Sequence, residues 1–227
     1  MVAAQAALRE VVVGRNSTIW RELLDRKLAP VTFAIALSHR EAAGFPFTAS
    51  DRVWVFSYSI SQEDNDALLK TIQAGKPAEV VYVSSATTNI AARVTCYRYP
   101  CAKLLAEQSA RRLTNARILT LGVMYHDAAE LPGGETIATG YGELAQFLRH
   151  PRWPEDRSQR VLLFSRVRRP FSSRIEKHLF AAYGVAITLC SPWPCVLRPV
   201  DSALRLMGYR WYGYVYLSNR QWSTTTS

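Results

Sequence analysis

The sequence predicts an α/β fold: a doubly wound parallel sheet followed by a small C-terminal lobe. Three observations carry this. Short apolar or β-branched runs recur along the first half, with stretches of helical spacing between the later ones. The runs are apolar at successive positions, as in strands covered by helices on both faces. The first run, Val11-Val12-Val13, ends in Gly14 and is followed by helical periodicity over Ser17 to Lys27, which reads as strand, turn, helix.

Taken in order, Glu10 to Gly14 is the first strand, Val31 to Leu37 the second, Arg52 to Tyr58 the third, Glu79 to Val83 the fourth and Ala116 to Leu121 the fifth. Helices are expected over Asp64 to Ala74 and over Arg98 to Leu113. Ser38 to Ser50 is too short and too rich in Gly, Pro and Ala for a full strand and helix, so one crossover is trimmed. After Asp127 the pattern changes. Leu131 to Gly134 and Pro151 to Pro154 are breaks, and a basic strand and helix follow over Val161 to Tyr183. The expected division is therefore 1–127 for the doubly wound domain and 128–227 for a smaller lobe packed on it. Gly208 to Trp222 holds Tyr209, Trp211, Tyr212, Tyr214, Tyr216 and Trp222, which serve packing against the sheet or a partner subunit, or a ligand-stacking wall.

With 227 residues, 48% of them hydrophobic, the chain can bury a sizeable core. Its longest apolar runs, Phe33 to Leu37 and Val161 to Phe164, fall far short of the roughly 18 residues that span a bilayer. Met1 to Glu10 lacks the basic and apolar regions of a secretory signal, so the cytoplasm is the expected compartment. Cysteines 96, 101, 190 and 195 have no C-x-x-C spacing and His is scarce, so reduced thiols are expected and no metal site. The formal charge is +10, and Arg157 to Arg174 contains six Arg and no acid. That excess forms a solvated basic face or attracts an anionic partner. A helix-turn-helix, RNA-recognition or zinc pattern is absent from the sequence, which argues against specific nucleic-acid binding.

In a doubly wound sheet, ligands bind beyond the carboxyl ends of the strands. After the first strand come Gly14, Arg15, Asn16, Ser17, Thr18 and Ile19, where a dinucleotide pyrophosphate would meet a helix N-terminus. Ser17 and Trp20 stand where the second and third glycines of the usual motif would be. After the second strand come Ser38, His39 and Arg40. A cation there, with Arg15 as a second, suits the 2′-phosphate of NADP(H) over NAD(H). After the fourth strand come Ser84, Ser85 and Thr87, and beyond a loop Tyr99 and Lys103 lie four residues apart on one helix face. The ammonium of such a lysine lowers a phenol pKa from about 10 and makes it a usable acid or base.

Val81 to Thr87, the Tyr99 to Lys103 pair and the Leu-Leu-Ala-Glu after it resemble the short-chain dehydrogenase/reductase superfamily, most nearly its extended epimerase/dehydratase branch. Phe56-Ser57-Tyr58, Asn65 and Ile118 to Tyr125 with Gly122 resemble that branch too. The likeness covers roughly residues 10 to 127. It implies a Rossmann fold and a nicotinamide dinucleotide held by the Gly14 to Ile19, Ser38 to Arg40, Ser57, Tyr58, Ser84, Lys103 and Gly122 positions. It further implies Tyr99 as acid/base, Lys103 on the nicotinamide ribose and Ser85 as the substrate-orienting hydroxyl, with Ser84 and Thr87 as alternatives. A nucleotide sugar or another anionic carbonyl or hydroxyl compound, as in polysaccharide biosynthesis, is the implied substrate, and a homodimer paired through the Tyr-Lys helix the implied assembly. The altered glycine loop, and Asn89 where that branch usually has Tyr, keep a second reading open: a catalytically inactive dinucleotide-binding or scaffold protein.

Overall fold

The computed structural model describes residues 8–156, 160–190, 193–206 and 211–225. Arg157 and Tyr209 therefore lie outside the described residues, as does the side chain of Cys195. Two compact units are formed. One comprises Met1–Ser84, Leu105–Thr120 and Gly142–Leu162, the other Ser85–Leu104, Leu121–Tyr141 and Leu163–Ser227.

The elements of the first unit follow the expected alternation. They are β1 (Arg9–Val13), α1 (Thr18–Asp25), β2 (Ile35–Leu37), α2 (His39–Ala42), β3 (Asp51–Val55) and α3 (Gln62–Ala74), then β4 (Glu79–Ser85), α4 (Arg98–Ala110) and β5 (Ala116–Leu121). Among the described residues the principal sheet has six strands in the order β2-β1-β3-β4-β5-β8, where β8 is Arg160–Leu163. The β1–β2, β1–β3 and β3–β4 pairs are parallel. The chain steps from β1 outward to β2 and then back across to β3, so the direction of winding reverses beside β1. This is a Rossmann-type doubly wound α/β sheet.

Alternation along the strands sorts the core into two layers. Val11, Val13, Val53, Val55, Val80 and Tyr82 share one buried layer with Leu68, Leu69 and Ile72 of α3 and Ala106 and Ala110 of α4. The opposite parity carries Val12, Trp54 and Val81. There Trp54 meets Phe33, Phe147 and Trp153 at ring centroid distances of 5.8, 6.5 and 6.0 Å. Phe147 belongs to α5 (Tyr141–Arg149). At the amino ends of the strands Arg52 bonds Glu10 at 2.9 Å and Glu79 at 2.6 Å, and Arg117 bonds Glu79 at 2.5 Å, a ladder of alternating charge across adjacent strands.

Two strands differ from the expectation. The second is confined to Ile35–Leu37, because the chain turns at Pro30, whose carbonyl accepts from Phe33, leaving Val31 fully exposed. The third ends at Val55, since beyond it Asn65 holds the chain in a loop: its amide bonds the Ser59 N–H at 2.7 Å and the Ser59 carbonyl at 2.8 Å. The trimmed crossover is a single helical turn, α2, closed by a capping box between Ser38 and Glu41.

The second unit contains structure beyond the strand and helix expected over Val161 to Tyr183, which are observed as strands to Arg169 and a helix from Arg174. β6 (Val123–Tyr125), β7 (Gly134–Gly140) and β9 (Ser165–Arg169) form a three-stranded sheet in the order β6-β7-β9, with β7 antiparallel to β9. Helices α6 (Arg174–Cys190), α7 (Pro194–Leu206) and α8 (Gly213–Thr225) complete it. Its core joins Ile90, Val94, Tyr97, Tyr183, Ile187, Leu197 and Trp211. Cys96, Cys101 and Cys190 are unpaired thiols, and burial pushes those of Cys96 and Cys101 above the ordinary thiol range. No helix among the described residues is long and apolar enough to cross a membrane.

Candidate active site

In the first unit, the turn after β1 is built by glycine. Gly14 has φ +113, a backbone conformation that disfavours side chains, and the N–H groups of Gly14 and Arg15 both donate to the Leu37 carbonyl, at 2.7 and 2.9 Å. A Cβ at Gly14 would lie 2.6 Å from the Ser57 N–H nitrogen, so the turn presses against the end of β3. Ser17 then caps α1, its hydroxyl accepting from the Trp20 N–H at 3.2 Å. The amides of Thr18 and Ile19 belong to the first helical turn, whose donors have no carbonyl within the helix.

His39 and Ser57 meet at 3.1 Å between Nδ1 and Oγ. The expected residues Gly14, Ser38, His39 and Ser57 are thus gathered where the sheet reverses direction, while Asn16, Thr18, Arg40 and Tyr58 are exposed around them. Partial burial raises the Tyr58 phenol pKa. Arg15 and Arg40 part company. Arg15 pairs with Glu41 at 3.0 Å, whereas among the described residues Arg40 has no ion-pair partner. Glu41 was missed as a site residue. Its carboxylate accepts from the Ser38 N–H at 2.8 Å, and that bond, with Ser38 and Arg15 beside it, holds its pKa below the usual carboxylate range. The Ser-His-Arg-Glu spacing of a capping box was the available signal.

These residues fit a dinucleotide in part. The positive-φ glycine, the reversal point and the first-turn amides suit a pyrophosphate. Trp20 occupies the place of the third glycine as a buried ring, 5.7 Å from both Phe33 and Phe56, so this helix contact is aromatic rather than close-packed backbone.

Ser84, at the end of β4, donates its hydroxyl to the wholly buried Glu107 at 2.6 Å. Glu107 also receives Arg111 at 3.0 Å and Arg160 at 2.6 Å. The Ser84 hydroxyl is therefore committed to α4, a bond no sequence pattern announced.

In the second unit, Ser85 caps the short 3₁₀ turn Ala86–Ile90. Its hydroxyl lies 2.9 Å from that of Thr87 and accepts from the Thr87 N–H at 3.3 Å. The C-terminal helix fastens this turn: Ser218 Oγ and Trp222 Nε1 both donate to the Ala86 carbonyl, at 3.0 and 3.1 Å. Tyr99 stands in the first turn of α4, where Pro100 costs no helical hydrogen bond, and the buried Lys103 follows one turn later on the same face.

The start of α4 is held by contacts that were not anticipated. Tyr97 donates to Asp201 Oδ2 at 2.5 Å and Tyr183 to Oδ1 at 2.8 Å, while the Gly213 N–H lies 3.2 Å from both oxygens. Tyr214 places its ring 5.2 Å from that of Tyr97 and 6.0 Å from that of Tyr99. The aromatic C-terminal segment thus packs within its own unit, and one of its rings flanks Tyr99. Gly122 donates to Thr139 Oγ1 at 2.8 Å, and a Cβ there would meet the Ile137 carbonyl at 2.7 Å. Its small size serves the approach of β7.

The basic stretch is divided among partners. Arg160 serves Glu107, Arg166 pairs with Glu135 at 3.6 Å and Arg169 donates to the Leu131 carbonyl at 2.6 Å. Arg168 and Arg174 are exposed. Among the described residues no group of three or more His, Cys, Asp and Glu side chains is gathered to hold a metal ion.

A parallel sheet that reverses beside its first strand, with a glycine turn after that strand, is a Rossmann-type fold. Solved structures of that fold are the chain's structural neighbours. A nucleoside-diphosphate-sugar epimerase from Staphylococcus aureus matches with TM-score 0.50 at 11% identity, over 71% of this chain and 73% of that one. A short-chain dehydrogenase/reductase from Veillonella parvula matches with TM-score 0.50 at 13% identity, over 71% and 94%. The enzyme WbmF from Bordetella bronchiseptica, solved in complex with NAD+, matches with TM-score 0.51 at 8% identity, over 72% and 76%. Neither a protein-family model nor a curated protein matches the sequence.

Proposed function

We propose that this chain is an NAD(P)-dependent oxidoreductase, epimerase or dehydratase acting on a nucleotide sugar or another anionic carbonyl or hydroxyl compound. The observation that carries the reading is the pair Tyr99 and Lys103, one helical turn apart on the helix that follows the Ser84-Ser85 strand end of a Rossmann sheet. An NAD+-bound neighbour and a nucleotide-sugar epimerase of the same fold support it.

In this reading residues 1–127 hold the dinucleotide and 128–227 shape the substrate side. The Gly14 turn and the amides of Thr18 and Ile19 receive the pyrophosphate, and Arg40 selects NADP(H) over NAD(H) through the 2′-phosphate. A bound nicotinamide supplies hydride transfer at its C4 carbon. Tyr99 Oη moves the coupled proton, Lys103 favours its phenolate, and Ser85, with Thr87 beside it, orients the substrate oxygen. The protein acts as a homodimer paired through α4, in the cytoplasm.

A second reading rests on Trp20. Its buried ring stands in the place of the third glycine and its backbone N–H is already taken by the Ser17 hydroxyl, as suits a dinucleotide-fold scaffold without turnover. Calorimetric titration of cofactor-stripped protein with NADPH and NADH separates the two. Binding of either, followed by turnover of a nucleotide sugar that Tyr99→Phe abolishes while leaving cofactor affinity nearly intact, is the expected result. Absence of binding to both favours the scaffold.

A further inference from the structure

Helix α6 is apolar on two faces. Tyr183, Gly184 and Ile187 turn into the core of the second unit. On another side Ile175, Leu179, Val185 and Leu189 are 71%, 43%, 60% and 65% exposed; spaced by four, six and four residues, they fall within about one third of the helix circumference. Just beyond the helix Trp193 and Val196 are 64% and 44% exposed. A helix apolar all round is ordinarily covered on every side. A contiguous outward patch of large aliphatic and aromatic side chains marks a surface that meets something.

Charge says what that is. Residues 157–227 contain eleven Lys and Arg against two acids, which is nine of the ten net positive charges of the chain. The two acids, Glu176 and Asp201, are buried and satisfied internally, by Ser172 and by Tyr97 with Tyr183. Among the described residues Arg168, Arg174, Lys177 and Arg198 are exposed and have no acidic partner. Arg160 and Arg166 meet Glu107 and Glu135, but these four cations face no acid, and the segment that holds them carries the apolar side chains. A second copy would bring like charges together. A nucleic acid would satisfy the cations but would leave outward Ile, Leu and Val in a polar, wet interface. Anionic lipid meets both demands: headgroups pair with Arg and Lys while the apolar face enters the acyl boundary.

We propose that α6 and the Trp193 segment form a membrane-docking surface that lies in the plane of an anionic phospholipid bilayer. At 17 residues the helix rests on the interface rather than crossing it. This surface shares no residue with the proposed catalytic set and does not depend on the proposed activity.

The experiment is flotation of the whole chain with vesicles of phosphatidylcholine alone and of phosphatidylcholine containing about one third phosphatidylglycerol. Wild type is expected to float with the anionic vesicles and not with the neutral ones. Val185→Glu combined with Leu189→Glu, both at exposed positions, should reduce partitioning by about tenfold or more. Arg174→Gln, at the edge of the apolar face, should reduce it about fivefold. Failure of wild type to float with anionic vesicles overturns the proposal. So does unchanged flotation of V185E/L189E, which would leave charge attraction alone, as toward a nucleic acid. A dimer in sedimentation velocity that V185E/L189E dissociates would assign the apolar face to a second copy instead.

Discussion

The hydroxyl of Ser84 and the carboxylate of Glu107, 2.6 Å apart, tie the end of the fourth strand to the third turn of the helix that carries Tyr99 and Lys103. Glu107 is wholly buried and holds two guanidiniums besides. Neutralising such a carboxylate strands its partners. Glu107→Gln should cost about 3–5 kcal/mol in urea denaturation, because Arg111 and Arg160 lose their counter-charge. Ser84→Ala removes one charge-assisted hydrogen bond and should cost about 1.5–3 kcal/mol. A loss in Glu107→Gln no greater than in Ser84→Ala would show that the arginines find water instead.

Gly14→Ala tests the turn after the first strand. The new Cβ would meet the Ser57 nitrogen at 2.6 Å in a backbone held at φ +113. Strain and collision together should lower stability by about 1–3 kcal/mol. The turn should also move away from Ser57, weakening dinucleotide binding in calorimetry beyond what the stability change alone explains. Unchanged stability would mean that the loop relaxes freely.

The first unit was legible because its signals are local. Val11 to Gly14, the helix after Ser17 and the strand Ala116 to Leu121 declare themselves by period and by turn residues, and Ala116–Leu121 is observed with the expected bounds. Tyr99 and Lys103 could be placed on one helix face because a four-residue spacing fixes that geometry. What stayed illegible depends on partners far along the chain. Asp201 collects Tyr97 and Tyr183 across separations of 104 and 18 residues, and β7 pairs antiparallel with β9 from beyond α5. The short β2 was overread because Val31 and Thr32 are β-branched, although Pro30 turns the chain there. Glu41 was overlooked because its carboxylate reaches the Ser38 N–H only once the turn folds back.

Arg15 and Arg40 make different predictions for cofactor choice. Arg40→Ala should weaken NADPH by about tenfold and leave NADH nearly unchanged, since only the former carries the 2′-phosphate. Glu41→Gln removes the negative partner of Arg15 at 3.0 Å and should raise NADPH affinity by freeing that guanidinium. Calorimetric titration of both variants with both nucleotides checks the pair. An unchanged NADPH to NADH ratio in Arg40→Ala would remove Arg40 from the site.

The Asp201 cluster should set the alkaline limit of the fold. Tyr97 and Tyr183 donate to one buried carboxylate, and burial together with that negative charge pushes both phenols above their ordinary value of 10.0. A folded-state pKa raised above the unfolded one contributes stability that is fully present below the unfolded value and is lost as pH rises toward the folded one. From about pH 10 upward the unfolded chain releases both protons while the native protein keeps them. The unfolding free energy should then fall by about 1.4 kcal/mol per pH unit for each of the two tyrosines. Tyr97→Phe and Tyr183→Phe should each lower stability at neutral pH, by about 1.5–3 kcal/mol for a hydrogen bond to a charged group. Each should also remove its share of the alkaline slope. Denaturation curves from pH 8 to about pH 11, with tyrosinate absorbance followed in parallel, provide the measurement. A slope that neither substitution changes would place the alkaline transition elsewhere in the molecule.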